Sequence, residues 1–402
     1  MKILYIADPL IVGGATRSLV DVVTSIKARG MECVVCTSEE NSLSKELKGY
    51  GIQNFSSGHR AVMDVRPKVR WKRPIIFILK AIYYYIRIPA AIHRIENMID
   101  METVDLIHTN SVRSDIGMLL SRKHHIPHVA HIREFGEDDF DCWTYRLNYT
   151  KFINQNTTTV IAISEAVKRS WIKKGIDPEK ITVIYNGVNN NAIIPISPIK
   201  LCNDRILRLV AVGGICEPKG QHQIVEALGR LPKEVRDNIT LDLVGWGDES
   251  YIELIRNRAK ELKVADRLII AGAISGVEAI LHNYHIGLLC SKSEGFGRVT
   301  AEYMHAGLGV IASDTGANPE LIQDSVTGLL YRYGDTLELA QKIEKYYRNR
   351  NLLSEYALNG RKQAGERFTK DRNADSLFEL YQGILKQFCK PTYSEEYGGY
   401  EH

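Results

Sequence analysis

Nowhere does this 402-residue chain offer the uninterrupted run of about 20 apolar residues that a membrane-spanning helix needs. Its most apolar segment, residues 74–89, is broken by Lys80 and Arg87, so a single span is not expected. The start, MKILYIADPL, lacks the long apolar core and small-residue cleavage site of a secretory leader and reads as a short strand. Seven cysteines, an odd number, lie without framework spacing, which argues against a disulfide-stapled secreted fold and favours the cytoplasm. Cys33 and Cys36 form a C-x-x-C, but inside an apolar strand pattern over 32–38, where alternate residues face opposite sides; packing is expected there, not metal or redox chemistry. Neither half carries a full G-x-G-x-x-G after its first strand with an acid about twenty residues on, which argues against a dinucleotide oxidoreductase. A net charge of +4 is too mild to imply a nucleic-acid partner, and no nucleic-acid recognition motif is present.

What is there is the composition of a soluble globular protein, 44% hydrophobic and 25% charged, in a chain long enough for two domains. Twelve short apolar runs bounded by Gly, Asn, Asp or Ser read as strands, six before residue 190 and six after 205, mostly with helical patterns between them. That alternation predicts two parallel, doubly wound sheets. A segment rich in Pro and Asn, 190–204, separates them as a hinge-like connection. The expected division is a first domain over 1–190, joined by a returning terminal helix over 370–388, and a second over 205–369. The tail, 391–402, is short and polar and is expected to be mobile.

The densest chemistry lies in 293–320, SEGFGRVTAEYMHAGLGVIASDTGANPE. A buried strand pattern precedes it and a helical pattern follows over 299–305, so Gly295, Phe296 and Gly297 form the turn between them. A helix start offers unpaired N–H groups and a positive dipole end to a phosphate, while Glu294 and Glu302 can accept hydrogen bonds from hydroxyls. Together these suit a sugar joined to a phosphate. Gly13-Gly14 stand between the first strand and an amphipathic helix over 15–28, where an open sheet places a ligand loop. His108, His131, Arg133 and Glu134 fall at strand ends on the same edge. An Asp-x-Asp at Asp139 and Asp141 sits among four near-consecutive acids over 137–141 and reads as a solvated cluster; no metal site is expected.

The Glu294–Glu302 pair, spaced Glu-x7-Glu, resembles the signature of the retaining glycosyltransferases with the two-domain GT-B fold, family 4 (group 1). The likeness continues through Ala306-Gly307, 310–313, Thr315-Gly316, Glu320 and 327–330, and extends over nearly the whole chain. It implies two Rossmann-like domains facing a cleft, and a hexosyl- or N-acetylhexosaminyl-type transferase (EC 2.4) with a nucleotide-sugar donor, UDP-linked by family prior. It implies no cofactor or metal. The acceptor would be a glycan or lipid-linked sugar of bacterial-type surface polysaccharide synthesis. It implies further that Lys219 and the amides at Phe296, Gly297 and Arg298 face the donor diphosphate, Glu302 the ribose and Glu294 the sugar. Gly245 and Ile274 would lie along the nucleotide, Gly14 would approach from across the cleft, and His131 would stand beside the transferred sugar. Catalytic roles fall to Glu294, His131 and Lys219. At Gly214 the chain departs from the family, which places a diphosphate arginine there, and Arg298 is the candidate to supply the missing charge. That departure also leaves open a catalytically silent carbohydrate-binding or partner subunit; a sugar phosphorylase is disfavoured by length.

Residues 66–94 carry eight Lys or Arg and no acid, interleaved with Trp71, Phe77 and three consecutive tyrosines. Such a helix can lie in the headgroup region of an anionic membrane, although an ordinary solvated domain helix has the same pattern. The expectation is peripheral attachment at the inner face of the plasma membrane.

Overall fold

A strand whose following helix packs back over the sheet returns the chain in parallel, and repetition of that step builds both sheets. The computed structural model describes residues 1–8, 13–67, 69–137, 141–188 and 193–388. Its strands in chain order are β1 (Lys2–Ile6), β2 (Glu32–Thr37), β3 (Gln53–Ser56), β4 (Met63–Val65), β5 (Leu106–Thr109), β6 (His128–Ile132), β7 (Cys142–Thr144), β8 (Thr159–Ala162), β9 (Ile181–Val183), β10 (Leu207–Val212), β11 (Ile239–Val244), β12 (Leu268–Gly272), β13 (Ile286–Leu289), β14 (Gly309–Ser313) and β15 (Leu329–Tyr331). The first sheet runs β3-β2-β1-β5-β6-β8-β9 and the second β12-β11-β10-β13-β14-β15, all parallel, while β4 and β7 form a small antiparallel ribbon.

The first sheet therefore has seven strands where six are expected from apolar runs. The added one, β3, is an edge strand reading Gln-Asn-Phe-Ser, in which only Phe55 is buried, so no apolar run marks it. The inner strands are covered on both faces by helices and read as continuous apolar runs: Ile3, Leu4, Tyr5 and Ile6 are all fully buried. Cys33 and Cys36 are packed in β2, where burial pushes both thiols up to about 12 and keeps them protonated.

Strand order reverses between β1 and β5 in one sheet and between β10 and β13 in the other. At such switch points the loops beyond the strand carboxyl ends diverge and leave room for a ligand. The loops after β1, β10 and β13 open the helices Gly13–Ala28, Gln221–Arg230 and Arg298–His305.

The chain crosses between the sheets twice, side by side. Val188 pairs with Thr369: the Val188 N–H donates to Phe368 O at 2.9 Å, and the Lys370 N–H donates to Val188 O at 3.1 Å. The last helix, Lys370–Phe388, then buries Leu377, Tyr381 and Ile384 against Leu19, Val23 and Ile26 of the first domain.

The helix Arg73–Met98 is longer than its apolar core, running 26 residues through Pro89, about 39 Å at the usual rise. Length is thus no bar to spanning a bilayer, contrary to the expectation from the broken apolar run: by length and composition alone Arg70–Met98 qualifies. Its contacts argue for a docked helix instead. Tyr84, Ala91 and Ile95 are buried against the domain, the Tyr84 hydroxyl donates to Asp115 at 2.5 Å, and Lys80 pairs with Asp64 at 2.6 Å. The opposite side carries Ile75, Ile78, Leu79, Ile82 and Ile86, each more than half exposed and spaced as one helical stripe.

Gly187, at the crossing, has no room for a side chain: a Cβ there would lie 2.5 Å from Thr369 O and 2.6 Å from Lys370 Cα. Gly187→Ala is expected to cost about 1–3 kcal/mol by overpacking. Thermal unfolding of the two proteins measures it, and an unchanged midpoint would show slack at the crossing.

Candidate active site

Strand β13 ends in a turn whose shape is fixed by Glu294. Its Oε1 accepts from the Gly297 N–H at 3.2 Å, and its Oε2 accepts from Ser291 Oγ at 3.3 Å and from Lys219 Nζ at 2.9 Å. The main chain of Glu294 is clasped from the next strand's loop, where the Ala317 N–H donates to its carbonyl at 2.8 Å. That approach requires Gly316, at φ +57°, since a Cβ would meet Glu294 O at 2.3 Å. Ser313 and Thr315 hydroxyls both donate to Ser291 O, at 2.8 and 2.7 Å, and tie the two loops together. Lys219 ends a single helical turn, Glu217–Lys219, that lies against the same loop through the Lys292 N–H to Pro218 O bond of 2.9 Å.

The helix Arg298–His305 starts at Gly297, and Glu302 lies one turn in. Glu302 is almost wholly buried, and burial pushes its carboxyl up to about 7 against the opposing pull of Arg298. Arg298 reaches out of the second domain: it donates to Glu302 Oε1 at 3.2 Å, Ser18 Oγ at 3.4 Å and Asp21 Oδ2 at 3.0 Å. Ser18 and Asp21 belong to the first domain's helix Gly13–Ala28. On the same helix, a Cβ on Gly14 would stand 3.9 Å from Arg298 Cδ, and Arg17 pairs with Glu278 at 2.7 Å. Gly214 takes no part in these contacts beyond its carbonyl, which accepts from Gln221 Nε2 at 2.9 Å. Gly245 abuts Gly213, where a Cβ would fall 1.9 Å from the carbonyl, and joins the loops after β10 and β11. Ile274 is partly exposed beyond β12, two strands from Lys219.

The first domain meets this turn at Arg133, whose carbonyl lies 2.9 Å from where a Cβ on Gly295 would stand. The Arg133 side chain is buried and donates from Nε to Asn110 O at 2.8 Å and from Nη1 to Asn186 Oδ1 at 2.8 Å. His131, on β6 two residues before Arg133, is fully buried. Its Nδ1 lies 3.3 Å from Arg133 Nη2 and 3.3 Å from His108 Nε2, while His108 Nδ1 lies 2.6 Å from the Tyr381 hydroxyl. Burial, and after it the charge of Arg133, hold both imidazoles well below their ordinary range, so both are neutral.

Lys219, Glu294, Gly295, Gly297, Arg298, Glu302, Gly14 and His131 thus lie around one junction, and Phe296 is buried beneath it against Phe368. Sequence reasoning did not pair Arg298 with Asp21, nor assign Glu320, whose carboxylate accepts from the Glu165 and Ala166 N–H groups at 2.8 and 2.6 Å. That carboxylate, from the second domain, closes the amino end of the first domain's helix Glu165–Lys173. No local pattern signals it, because 155 residues separate the partners. Of the Asp-x-Asp, Asp139 lies outside the described residues, and Asp141 pairs with Arg66 at 3.3 Å and Arg73 at 3.2 Å.

Residues 12–191 match the family model described as Glycosyltransferase Family 4, and residues 200–363 that described as Glycosyl transferases group 1. YtcC of Bacillus subtilis (strain 168) is 23% identical over 429 aligned positions, taking in 99% of this chain and 97% of that one. The capsular polysaccharide biosynthesis glycosyltransferase CapM of Staphylococcus aureus is 25% identical over 248, with 57% of this chain and 63% of its own. Among solved structures, Anabaena Alr3699/HepE in complex with UDP and glucose is similar at a TM-score of 0.76 and 21% identity, over 95% of this chain and 100% of that one. With most of both halves matched, over 12–191 and 200–363, and two parallel sheets meeting at the Glu294 turn, the chain belongs to the family 4, group 1 glycosyltransferases and has their GT-B fold.

Proposed function

We propose that this glycosyltransferase moves a hexosyl or N-acetylhexosaminyl group from a UDP-sugar to a glycan or lipid-linked acceptor, with retention at the anomeric carbon and without a metal. The observation that carries the reading is the placing of Lys219 beside Glu294 at the amino end of helix Arg298–His305. As the bond from the anomeric carbon to the diphosphate breaks, its electron pair moves onto the diphosphate. The Lys219 ammonium and the amides of Phe296, Gly297 and Arg298 would meet that charge, where fixed dipoles need no reorganisation. The acceptor oxygen bonds to carbon and its proton passes to the departing diphosphate. Glu302 would accept from ribose hydroxyls and Glu294 from sugar hydroxyls, with His131 on the sugar's other side. UDP as carrier is supported by the HepE complex with UDP and glucose, and a surface-polysaccharide role by CapM.

A silent binding subunit is the second reading, favoured by Gly214 in the arginine position and by the hold of Asp21 and Glu302 on Arg298. Turnover separates the two. Glu294→Gln is expected to abolish transfer while nucleotide binding persists, and Lys219→Ala to lower kcat by about 100-fold. Rates within about threefold of the parent for both, under about 0.7 kcal/mol in the transition state, would remove the assignment.

Glu302 gives a pH signature. Its folded pKa, about 7, is raised above the ordinary 4.5, so the folded state binds its proton more tightly than the unfolded chain does. The stability this contributes is present below about 4.5 and is lost as pH rises to about 7. Denaturant titrations should therefore show Glu302→Gln gaining on the parent between pH 5 and 8 in the absence of nucleotide. UDP-sugar affinity should rise through pH 7 in the parent and be weak and flat in the variant; parallel curves would take Glu302 out of the ribose site.

The exposed stripe of helix Arg73–Met98 supports the inner face of an anionic membrane, and hence a lipid-linked acceptor, as the place of action. Apolar side chains at Ile75, Ile78, Leu79, Ile82 and Ile86 face outward together, with Arg70, Trp71 and Lys72 exposed just before the helix. This pairs interfacial apolar burial with about 1 kcal/mol of attraction per cation. The protein should sediment with vesicles of mixed anionic and zwitterionic lipid at low salt. Ile78→Glu with Ile82→Glu should release it, and Arg70→Glu with Lys72→Glu should make binding fail at lower salt. A parent protein that ignores such vesicles would leave a soluble glycan as the acceptor.

A further inference from the structure

The buried chain Tyr381–His108–His131 can be hydrogen-bonded in either of two directions. A tyrosine hydroxyl both donates and accepts, and each neutral imidazole has one donor and one acceptor nitrogen whose roles exchange with the tautomer. In one direction Tyr381 donates to His108 Nδ1, His108 Nε2–H donates to His131 Nδ1, and His131 is left with a free Nε2–H. In the other every bond reverses and His131 Nε2 becomes an acceptor. The distances, 2.6 Å and 3.3 Å, serve both equally.

Arg133 breaks the tie, because a guanidinium only donates. Its Nη2 lies 3.3 Å from His131 Nδ1, so Nδ1 accepts, its single lone pair shared between Arg133 and His108 Nε2, and the proton of His131 belongs on Nε2. That nitrogen is buried and has no hydrogen-bond partner among the described residues. A buried donor left unpaired is costly, so it is a group held ready for an acceptor that the protein's own side chains do not supply. Arg133 is also the residue whose carbonyl touches the Gly295 turn, which puts this donor next to the junction of the two domains.

We propose that Arg133 is a positioning residue that sets the direction of the Tyr381–His108–His131 chain, so that His131 presents a neutral Nε2–H donor to a hydroxyl or ring oxygen of the transferred sugar. The same guanidinium charge disfavours protonation of both imidazoles, which keeps the presented group a neutral hydrogen-bond donor. Burial pushes Arg133 itself down only to about 10, so it remains charged at neutral pH. The sugar as recipient rests on the assignment of His131 under the proposed function; the direction of the chain does not.

The test is the 15N spectrum of histidine-labelled full-length protein, with His131 assigned by its loss in His131→Gln. The parent should show His131 and His108 neutral and protonated at Nε2, and a parent spectrum with His131 protonated at Nδ1 overturns the proposal whatever the variants do. Arg133→Met should give mixed or Nδ1-protonated His131 and a kcat about tenfold lower with the UDP-sugar KM little changed, the loss of roughly one hydrogen bond to the sugar. Arg133→Lys, which keeps a donor-only cation, should restore the tautomer and part of the rate. Tyr5→Phe removes the hydrogen bond that Tyr5 donates to Tyr381 at 3.4 Å and, with Arg133 still in place, should leave His131 protonated at Nε2. If Arg133→Met leaves His131 protonated at Nε2, Arg133 does not set the direction. If the tautomer moves and kcat does not, the direction stands and the sugar contact falls.

Discussion

The carboxylate of Glu294 is the contact on which the second domain's site depends. It is bonded to the amide that opens helix Arg298–His305 and to Lys219 on another loop, while its main chain is held by a third. A partly exposed lysine–carboxylate pair is worth no more than about 1 kcal/mol, so stability does not account for the arrangement. Position does. Gly316 adopts a left-handed backbone to let its loop reach Glu294, and Ser313 and Thr315 spend their hydroxyls on Ser291 O. A cation and a row of amides are thereby aimed at one place by bonds that leave little rotational freedom.

The joint between the domains is made differently. Its polar contacts are ion pairs, Arg298 with Asp21 and Arg17 with Glu278, together with a carboxylate at a helix end, Glu320; beside them Tyr185 packs near Phe296, and a buried apolar cluster includes residues of both domains. The ion pairs lose less on separation than the apolar contacts do, because water can take over each polar partner. The two chain crossings at Val188 and Thr369 lie together and form one connection. The polar part of the joint can exchange its partners for water, while the apolar part resists separation.

How much of this the sequence carried depends on the range of each interaction. The Glu294 turn was legible because strand, glycines, helix start and second glutamate are contiguous, and the parallel sheets because strands buried on both faces must be apolar throughout. Strand β3 was not, since an edge strand with one buried residue has no such signature. Helix Arg73–Met98 continues through Pro89 because its far end, Ala91 and Ile95, is packed on the domain, and tertiary burial outweighs the local penalty of the proline. Arg298 could be placed at the helix start but not aimed, because Asp21 is 277 residues away. The same holds for Tyr381 and His108, 273 residues apart, whose pairing depends on how the last helix lies over the first sheet.

The two domains also divide the electrostatic work. The second carries a lysine and the positive end of a helix around Glu294, an arrangement that favours a group gaining negative charge. The first presents imidazoles kept neutral by burial and by a cation beneath them, an arrangement that offers hydrogen bonds without a net charge on the presenting group. A nucleotide-sugar is divided in the same way: its diphosphate carries the charge and its sugar carries hydroxyls. In the proposed reading, with the diphosphate on the second domain, the sugar would face His131. The burial that keeps that imidazole neutral also strengthens the hydrogen bond it can give, because a donor already stripped of water loses none on meeting the sugar. The His131 Nε2 and the Glu302 carboxyl are thus alike in being stripped of water, the first without a partner among the described residues and the second held by Arg298.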